Sequence, residues 1–476
     1  MMKRLFYILF SAMAIVAASC SDDSFTTSRS QLLTFSTDTL KLDTLFSGVP
    51  SATSSFMVYN RGDKALRIRQ ARLEHGNQTG FRVNVDGVFL DNANGSQAQD
   101  FEIRKGDSIR VFVELTSFPT TTDSPQLVAD NLVFALESGV EQKVNLTAYS
   151  WDALSLTNLR IGRDTLITSV KPIVVYGGIR VDSGAVLTIK SPAQLYFHDS
   201  AGIDVYGTLV VEGEKGNDVV MRGDRLDRMF DYLPYDRVSG QWKGIRLHSS
   251  STANRLSYAD IHSTDDAILC DSSAFDPGSH RLVVANSTIH NCKGYGIKAV
   301  NANISLVNCQ LTNTLADCLA VEGGATAVTY CTVGQFYPFS ADRGVAIRFG
   351  SLPLTGLRGS LTCINSVFTG YADDVVMGDS TLFDYQFFNS VLRTPSVADS
   401  VLLASRFHNV VFELPSDSIQ GDRHFVSIDI DRQYYDFHLD SLSTLRGKAL
   451  PLEAIIDDRE GLPRGDTPDI GCFKSR

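Results

Sequence analysis

Thr264-Asp265-Asp266 stands just before an apolar run, Ala267-Ile268-Leu269-Cys270. Two carboxylates, here Asp265 and Asp266, could serve as acid and base across a glycosidic bond. Asp317 and Asp373-Asp374 occupy comparable places, so acidic turns are a habit of this chain. Three cations, Arg246, Lys298 and Arg348, sit in other runs at equivalent phase, with Asp271 and Glu322 between them. Such a strip could pair with carboxylates or sulfates of an extended acidic glycan, where Arg offers a bidentate fork. Phe230-Asp231-Tyr232-Leu233-Pro234-Tyr235 is rich in rings. If exposed, Tyr232 and Tyr235 could stack on sugar faces. Trp242, in Gly240-Gln241-Trp242-Lys243-Gly244-Ile245, reads instead as packing. No C-x-x-C pair occurs, so a zinc or thioredoxin-like motif has no support and no metal ligand is assigned.

The elements that must position these residues follow from length and pattern. The chain has 476 residues, with 43 Lys and Arg against 54 Asp and Glu, a formal charge of −11. It is 43% hydrophobic and 20% charged, the composition of an ordered globular chain. An acidic chain without a basic run is a poor nucleic-acid binder.

Met1-Met2-Lys3-Arg4 is a basic start, and Leu5 to Ala18 is an apolar run too short to span a bilayer of about 30 Å. A signal peptide over 1–19 is expected. Val16-Ala17-Ala18-Ser19-Cys20 resembles the bacterial lipobox, which implies acylation of Cys20 and anchoring in outer-membrane lipid. Ser21-Asp22-Asp23-Ser24 resembles the acidic export signal of surface-displayed lipoproteins. Residues 20–31 read as the lipidated Cys and a flexible tether. The other seven Cys all lie after residue 269 and are expected as buried, reduced thiols.

From 32 to 150, period-2 runs separated by turns predict about seven strands, the pattern of an immunoglobulin-like sandwich. Val58-Tyr59-Asn60-Arg61-Gly62-Asp63-Lys64-Ala65-Leu66-Arg67-Ile68 and Ile103 to Val113 resemble bacterial Ig-like domains of the ASH/Hydin group. That resemblance implies a spacer or adhesion role.

Beyond this the chain repeats. Gly178-Ile179-Arg180-Val181 matches Gly202-Ile203-Asp204-Val205 at an offset of 24. The same offset is read between Val186-Leu187 and Val210-Val211, and between Leu195-Tyr196-Phe197 and Val219-Val220-Met221. A second ladder runs Ile261, Ile289, Leu311, Val333, Phe368, Leu392 and Phe412. An Asn stands three residues earlier in most rungs: Asn286, Asn308, Asn365, Asn389 and Asn409. A third runs Ile245, Ile268, Ile297, Leu319, Ile347 and Val375. Such a period signals a solenoid. Over 151–445 the chain resembles right-handed parallel β-helix proteins of the pectate-lyase-like superfamily. About 12 coils of about 22 residues would make a rod roughly 55–60 Å long at ~4.8 Å per strand. Residues 446–476, with Asp458, Gly461, Arg464 and Pro468-Asp469-Ile470-Gly471, resemble the C-terminal segment of secreted β-helix proteins and are expected to cap the open end.

The fold class expected is all-β, an Ig-like sandwich followed by a right-handed parallel β-helix. The resemblance implies polysaccharide as partner. The motifs of its polygalacturonase-like members are incomplete here: no Gly-His-Gly exists, and Arg446-Gly447-Lys448 is the sole Arg-x-Lys. The functional expectation is therefore a surface-exposed outer-membrane lipoprotein whose rod binds glycan or another cell-surface partner, without cofactor. The alternative is a polysaccharide lyase or glycoside hydrolase on the same rod, with Ca2+ only for a lyase. A structural envelope protein is the second alternative. Asp-Ser and Asp-Thr pairs at Thr39, Thr44, Ser108, Thr165, Ser200, Ser380, Ser400, Ser418 and Ser441 resemble an O-glycosylation signal.

Overall fold

A computed structural model describes residues 24–351, 358–414, 416 and 421–475. The signal segment, Cys20 and Ser418 lie outside the described residues. The chain divides into two compact units, 1–152 and 153–476.

The first unit is an Ig-like β-sandwich of two five-stranded sheets. One sheet orders Thr34–Phe35, Ser54–Tyr59, Ser108–Leu115, Phe81–Val85 and Val88–Phe89. The other orders Thr39–Phe46, Glu141–Trp151, Gln126–Leu136, Leu66–Leu73 and Gln97–Ile103. Pairing is antiparallel except between Thr39–Phe46 and Glu141–Trp151. Alternate residues, among them Val58, Ile68, Val83, Val111, Phe134 and Leu146, fill the core, as a period of two requires. Asn60 explains its own motif. Its buried amide donates to the carbonyls of Lys64, Ile103 and Arg104, and its Oδ1 accepts from the Gly62 amide at 3.0 Å. The tether is shorter than its polar composition suggests. The Thr26 amide donates to the Ala65 carbonyl, the Ala65 amide to that of Ser24, and Arg67 lies over the Phe25 ring.

The second unit is a parallel β-helix built from three ladders. Ladder I contains Gln194–Phe197, Val219–Gly223, Ala259–His262, Thr288–Cys292, Gln310–Thr314, Thr332–Gln335, Val367–Gly370, Val391–Leu392 and Val411–Phe412. Ladder II contains Ile203–Val205, Ile245–Leu247, Ile268–Cys270, Ile297–Val300, Leu319–Glu322, Ile347–Gly350 and Val375–Met377. Ladder III has ten strands, from Thr165–Ile167 to Phe407–His408. Two long first strands, Leu154–Ile161 and Ile173–Val181, feed ladders I and II together.

The apolar rungs align as the sequence pattern requires. Ile261, Ile289, Leu311, Val333, Phe368, Leu392 and Phe412 are successive partners. So are Ile245, Ile268, Ile297, Leu319, Ile347 and Val375. Asn286, Asn308, Asn365, Asn389 and Asn409 all take positive φ, between 44° and 57°. The left-handed conformation turns the chain at each corner, and Asn tolerates it because its amide bonds the local backbone.

Three expectations are corrected. The offset of 24 holds between Ile179 and Ile203, but Leu187 pairs with Leu209 and Leu195 with Met221, offsets of 22 and 26. A slip of two keeps every side chain on its face, so alternation alone does not fix it. The helix is somewhat shorter than expected: ladder I, with its two long first strands, has eleven rungs, which at ~4.8 Å per spacing make about 48 Å. Loop insertions and the last sixty-odd residues, roughly 413–475, take up the difference.

The third correction concerns the C-terminal segment, which runs along the side of the helix as a strap rather than closing its end. Asn365 Nδ2 donates to the Leu450 carbonyl at 2.8 Å, and its Oδ1 accepts from the Leu450 amide at 2.7 Å. Tyr330 Oη donates to the same carbonyl. Asn308 Nδ2 donates to the Asp457 carbonyl at 2.9 Å and its Oδ1 accepts from Arg464 at 2.8 Å. Arg459 reaches Thr288 and Asp218, and Lys215 donates to the Gly461 carbonyl. The Asp458 carboxylate ties the strap to itself by accepting from the amides of Glu460, Leu462 and Lys474. Phe437, Leu445, Ile470, Cys472 and Phe473 then pack on Val367, Val391 and Phe336. The corner asparagines thus bind a second stretch of backbone in addition to turning their own.

Candidate functional site

Ladder II carries the expected strip. Ile245, Leu247, Ile297, Ala299, Ile347 and Phe349 are buried, which turns Arg246, Lys298 and Arg348 outward. The intervening rungs place Leu269 and Ala320 in the same row, so the cations occupy alternate coils. Each already has a carboxylate: Arg246–Asp271 at 3.0 Å, Lys298–Glu322 at 3.1 Å and Arg348–Asp317 at 2.7 Å. The hydrogen bonds to Asp271 and Asp317 raise the basicity of Arg246 and Arg348 against some burial; burial acts to lower that of Lys298, and its bond to Glu322 outweighs it. The strip is charge-compensated.

Asp265 and Asp266 border a groove of about 590 Å³ with Lys243, Arg246, Arg180 and Asp204. Its floor is a stack of glycines, Gly178, Gly202 and Gly244. A Cβ on Gly202 would meet the Gly244 carbonyl at 2.9 Å. Asp266 is engaged as a corner acceptor, with the Tyr295 amide donating to it at 2.8 Å. Asp265 is half-buried at the groove edge. Trp242 is buried, stacks on Phe197 at 4.1 Å and donates to the His262 carbonyl at 2.8 Å, as a packing residue does.

The aromatic loop forms a different cleft. Met229, Phe230, Tyr232, Tyr337, Phe339 and Ile430 line a space of about 900 Å³ between this loop, residues 337–339 and the tip of the hairpin Phe425–Asp429/Tyr434–Leu439. Phe230 and Tyr232 stack at 5.6 Å and are 53% and 54% exposed, and Phe339 is 62% exposed. Tyr235 is separated from them in role, because Arg225 covers its ring at 3.7 Å.

One cluster escaped the reading of the sequence. On the outer face of ladder I, Arg222, His262 and His290 occupy successive rungs. Asp260 Oδ1 lies 3.0 Å from His262 Nδ1 and 3.2 Å from His290 Nε2. His262 Nε2 lies 3.0 Å from Asp236 Oδ1, and Arg222 pairs with Asp236. The His rings stack at 4.7 Å. Burial alone would lower the His262 pKa, but Asp260 and Asp236 push it up to about 9. Burial opposes ionisation of Asp236 too, and His262 and Arg222 hold it at about 2. Asp260 is likewise held well below the carboxylate range by His262 and His290. The signal was present: His262 and His290 each follow the corner residue of their rung, Tyr258 and Asn286, by four.

A Ca2+ ion, required only by a lyase, wants six to eight oxygens. Among the described residues, the cluster able to hold an ion is Asp260, His262 and His290, two-thirds imidazole, which does not fit Ca2+. All seven cysteines after residue 269 are buried free thiols.

No family model matches the chain, and no curated protein does. Among solved structures, it is similar to the ASH/PapD-like domain 7 of human CEP192, at 10% identity over 25% of this chain and 85% of that one, with a TM-score of 0.17. The VesB protease of Vibrio cholerae is 14% identical over 26% of this chain and 33% of its own, also at 0.17. Likenesses at that level carry no functional argument.

Proposed function

We propose that the chain is an outer-membrane lipoprotein, anchored by acyl chains on Cys20 and exposed at the cell surface, whose β-helix binds glycan. The supporting observation is the aromatic cleft around Phe230, Tyr232 and Phe339. Three large rings held half or more in solvent are costly unless a partner covers them. A stacked pair of rings offers an apolar face of the size that a pyranose C–H face covers, and polar groups nearby set orientation. The compensated strip at Arg246, Lys298 and Arg348 makes a neutral or weakly charged glycan the better fit. The Ig-like domain serves as stalk.

The rival reading is a lyase or glycoside hydrolase using Asp265 and Asp266, favoured by their position on an open groove beside Lys243 and Arg246. Incubating the purified protein with a panel of polysaccharides, scored for retention and for shortened chains, separates these readings. Retention lost in Tyr232→Ala supports the cleft. Depolymerisation lost in Asp265→Asn supports the enzyme, and neither supports a structural envelope role. Anchoring is tested apart, since Cys20→Ala should leave the membrane fraction.

A further inference from the structure

We infer that Asp260, His262 and His290 form a binding site for a first-row transition dication of the Zn2+ type. Three donor atoms from two adjacent rungs converge: Asp260 Oδ1, His262 Nδ1 and His290 Nε2 lie within 4.8 Å of one another. Ligands bonded at about 2.0–2.1 Å stand about 2.8–3.4 Å apart in octahedral or tetrahedral geometry. The observed 3.0 and 3.2 Å contacts to Asp260 therefore need little movement.

The hydrogen-bond chemistry points the same way. His262 Nε2–H has an acceptor in Asp236. In that neutral tautomer, Nδ1 presents a lone pair to the Asp260 oxygen, an acceptor facing an acceptor. In the metal-free protein a second ring proton on Nδ1 can donate to Asp260 instead, and a metal ion binding here would take that proton's place. Convergence of the His290 nitrogen on the same oxygen favours a metal ion, which takes three ligands at once.

The surroundings supply what a metal-bound His usually has. Its second nitrogen donates to a carboxylate, Asp236, which fixes tautomer and ring orientation. Arg222 is held by Asp236 and donates to the carbonyls of Gly223 and Arg225. The Trp242 indole holds the His262 carbonyl at 2.8 Å. Asp260 and His290 keep side-chain exposures of 30% and 23%, which leaves an entry path. Two imidazoles and one carboxylate suit Zn2+ and its neighbours and disfavour Ca2+ and Mg2+. The inference is independent of glycan binding.

The test uses the intact chain, stripped with chelator and titrated calorimetrically with Zn2+, with Ca2+ in parallel. One equivalent of Zn2+ is expected, without competition from excess Ca2+. Loading with Co2+ should give the visible bands of a site with imidazole ligands. His290→Ala should weaken Zn2+ binding at least about 100-fold, and Asp236→Asn about 10–100-fold through the ring it orients. His290→Gln serves as a second variant, with circular dichroism confirming the fold. Absence of uptake by the folded protein, unchanged uptake in both His290 variants, or displacement by Ca2+ would each overturn the assignment.

Discussion

Replacing Asn365 by Ala should loosen the strap and destabilise the β-helix together. The side chain is fully buried and makes a reciprocal pair of bonds, 2.8 and 2.7 Å, with the backbone of Leu450. Each such bond contributes about 1 kcal/mol net. The position also has φ of 55°, which costs an ordinary L-residue about 1–2 kcal/mol. Asn365→Ala should therefore cost about 3–4 kcal/mol, a large share of the stability of a typical domain. Asn389 is the internal reference. It has the same role in its rung, φ of 44°, and one long contact of 3.5 Å to the Lys448 carbonyl. Asn389→Ala should cost only the conformational part, about 1–2 kcal/mol. The difference, about 2 kcal/mol, measures strap docking. Urea unfolding of both variants gives the two values, and limited proteolysis between 446 and 475 reports strap release. Equal losses with equal protease resistance would show that the asparagines only turn the corner.

Four further outcomes are expected. Tyr232→Ala should weaken glycan retention several-fold without shifting the unfolding midpoint, read by affinity electrophoresis. Retention should change little between about 0.05 and 0.5 M salt, whereas binding through exposed cations would fade as the screening length contracts. In metal-free protein, His262 faces Asp260, Asp236, His290 and Arg222 and has its pKa raised to about 9. The stability it contributes is complete below about 6.5 and is lost as pH rises through about 9. Unfolding midpoints should fall across that window and not in His262→Gln. Burial pushes the thiols of Cys270, Cys292, Cys318 and Cys472 up to about 12, so a thiol reagent should react slowly with the native chain and rapidly after unfolding.

Much of the architecture was legible because stacking repeats a chemical choice at every rung. Alternating Ile and Val named the inward faces of ladders I and II, and Asn named the corners. Register in the early coils was not, because Leu209 and Val211, both facing inward, are interchangeable under a slip of two. The strap was misread for a different reason. Its motif residue Arg464 was visible, but its partners Asn308 and Tyr330 lie more than 120 residues away, and nothing local marks that contact. Asp265 and Asp266 drew attention as adjacent acids. Asp260 and His262 did not, although the same ladder arithmetic sets His262 beside His290. Spacing within one rung hides a cluster assembled between rungs.

The strap changes how the repeat array behaves as a material. A solenoid whose coils touch only their neighbours melts from its ends, unit by unit. Here Arg459 bonds Asp218 across 241 residues, and Asn308 bonds Asp457 across 149. Residues 457–459 fasten coils made well before them. Such long closures slow folding, because loop entropy is lost before the contact forms. They also couple distant coils, so that fraying at one end is resisted by bonds anchored near the other. The rod should melt in one cooperative step, and it can lock only after residues 446–475 have arrived.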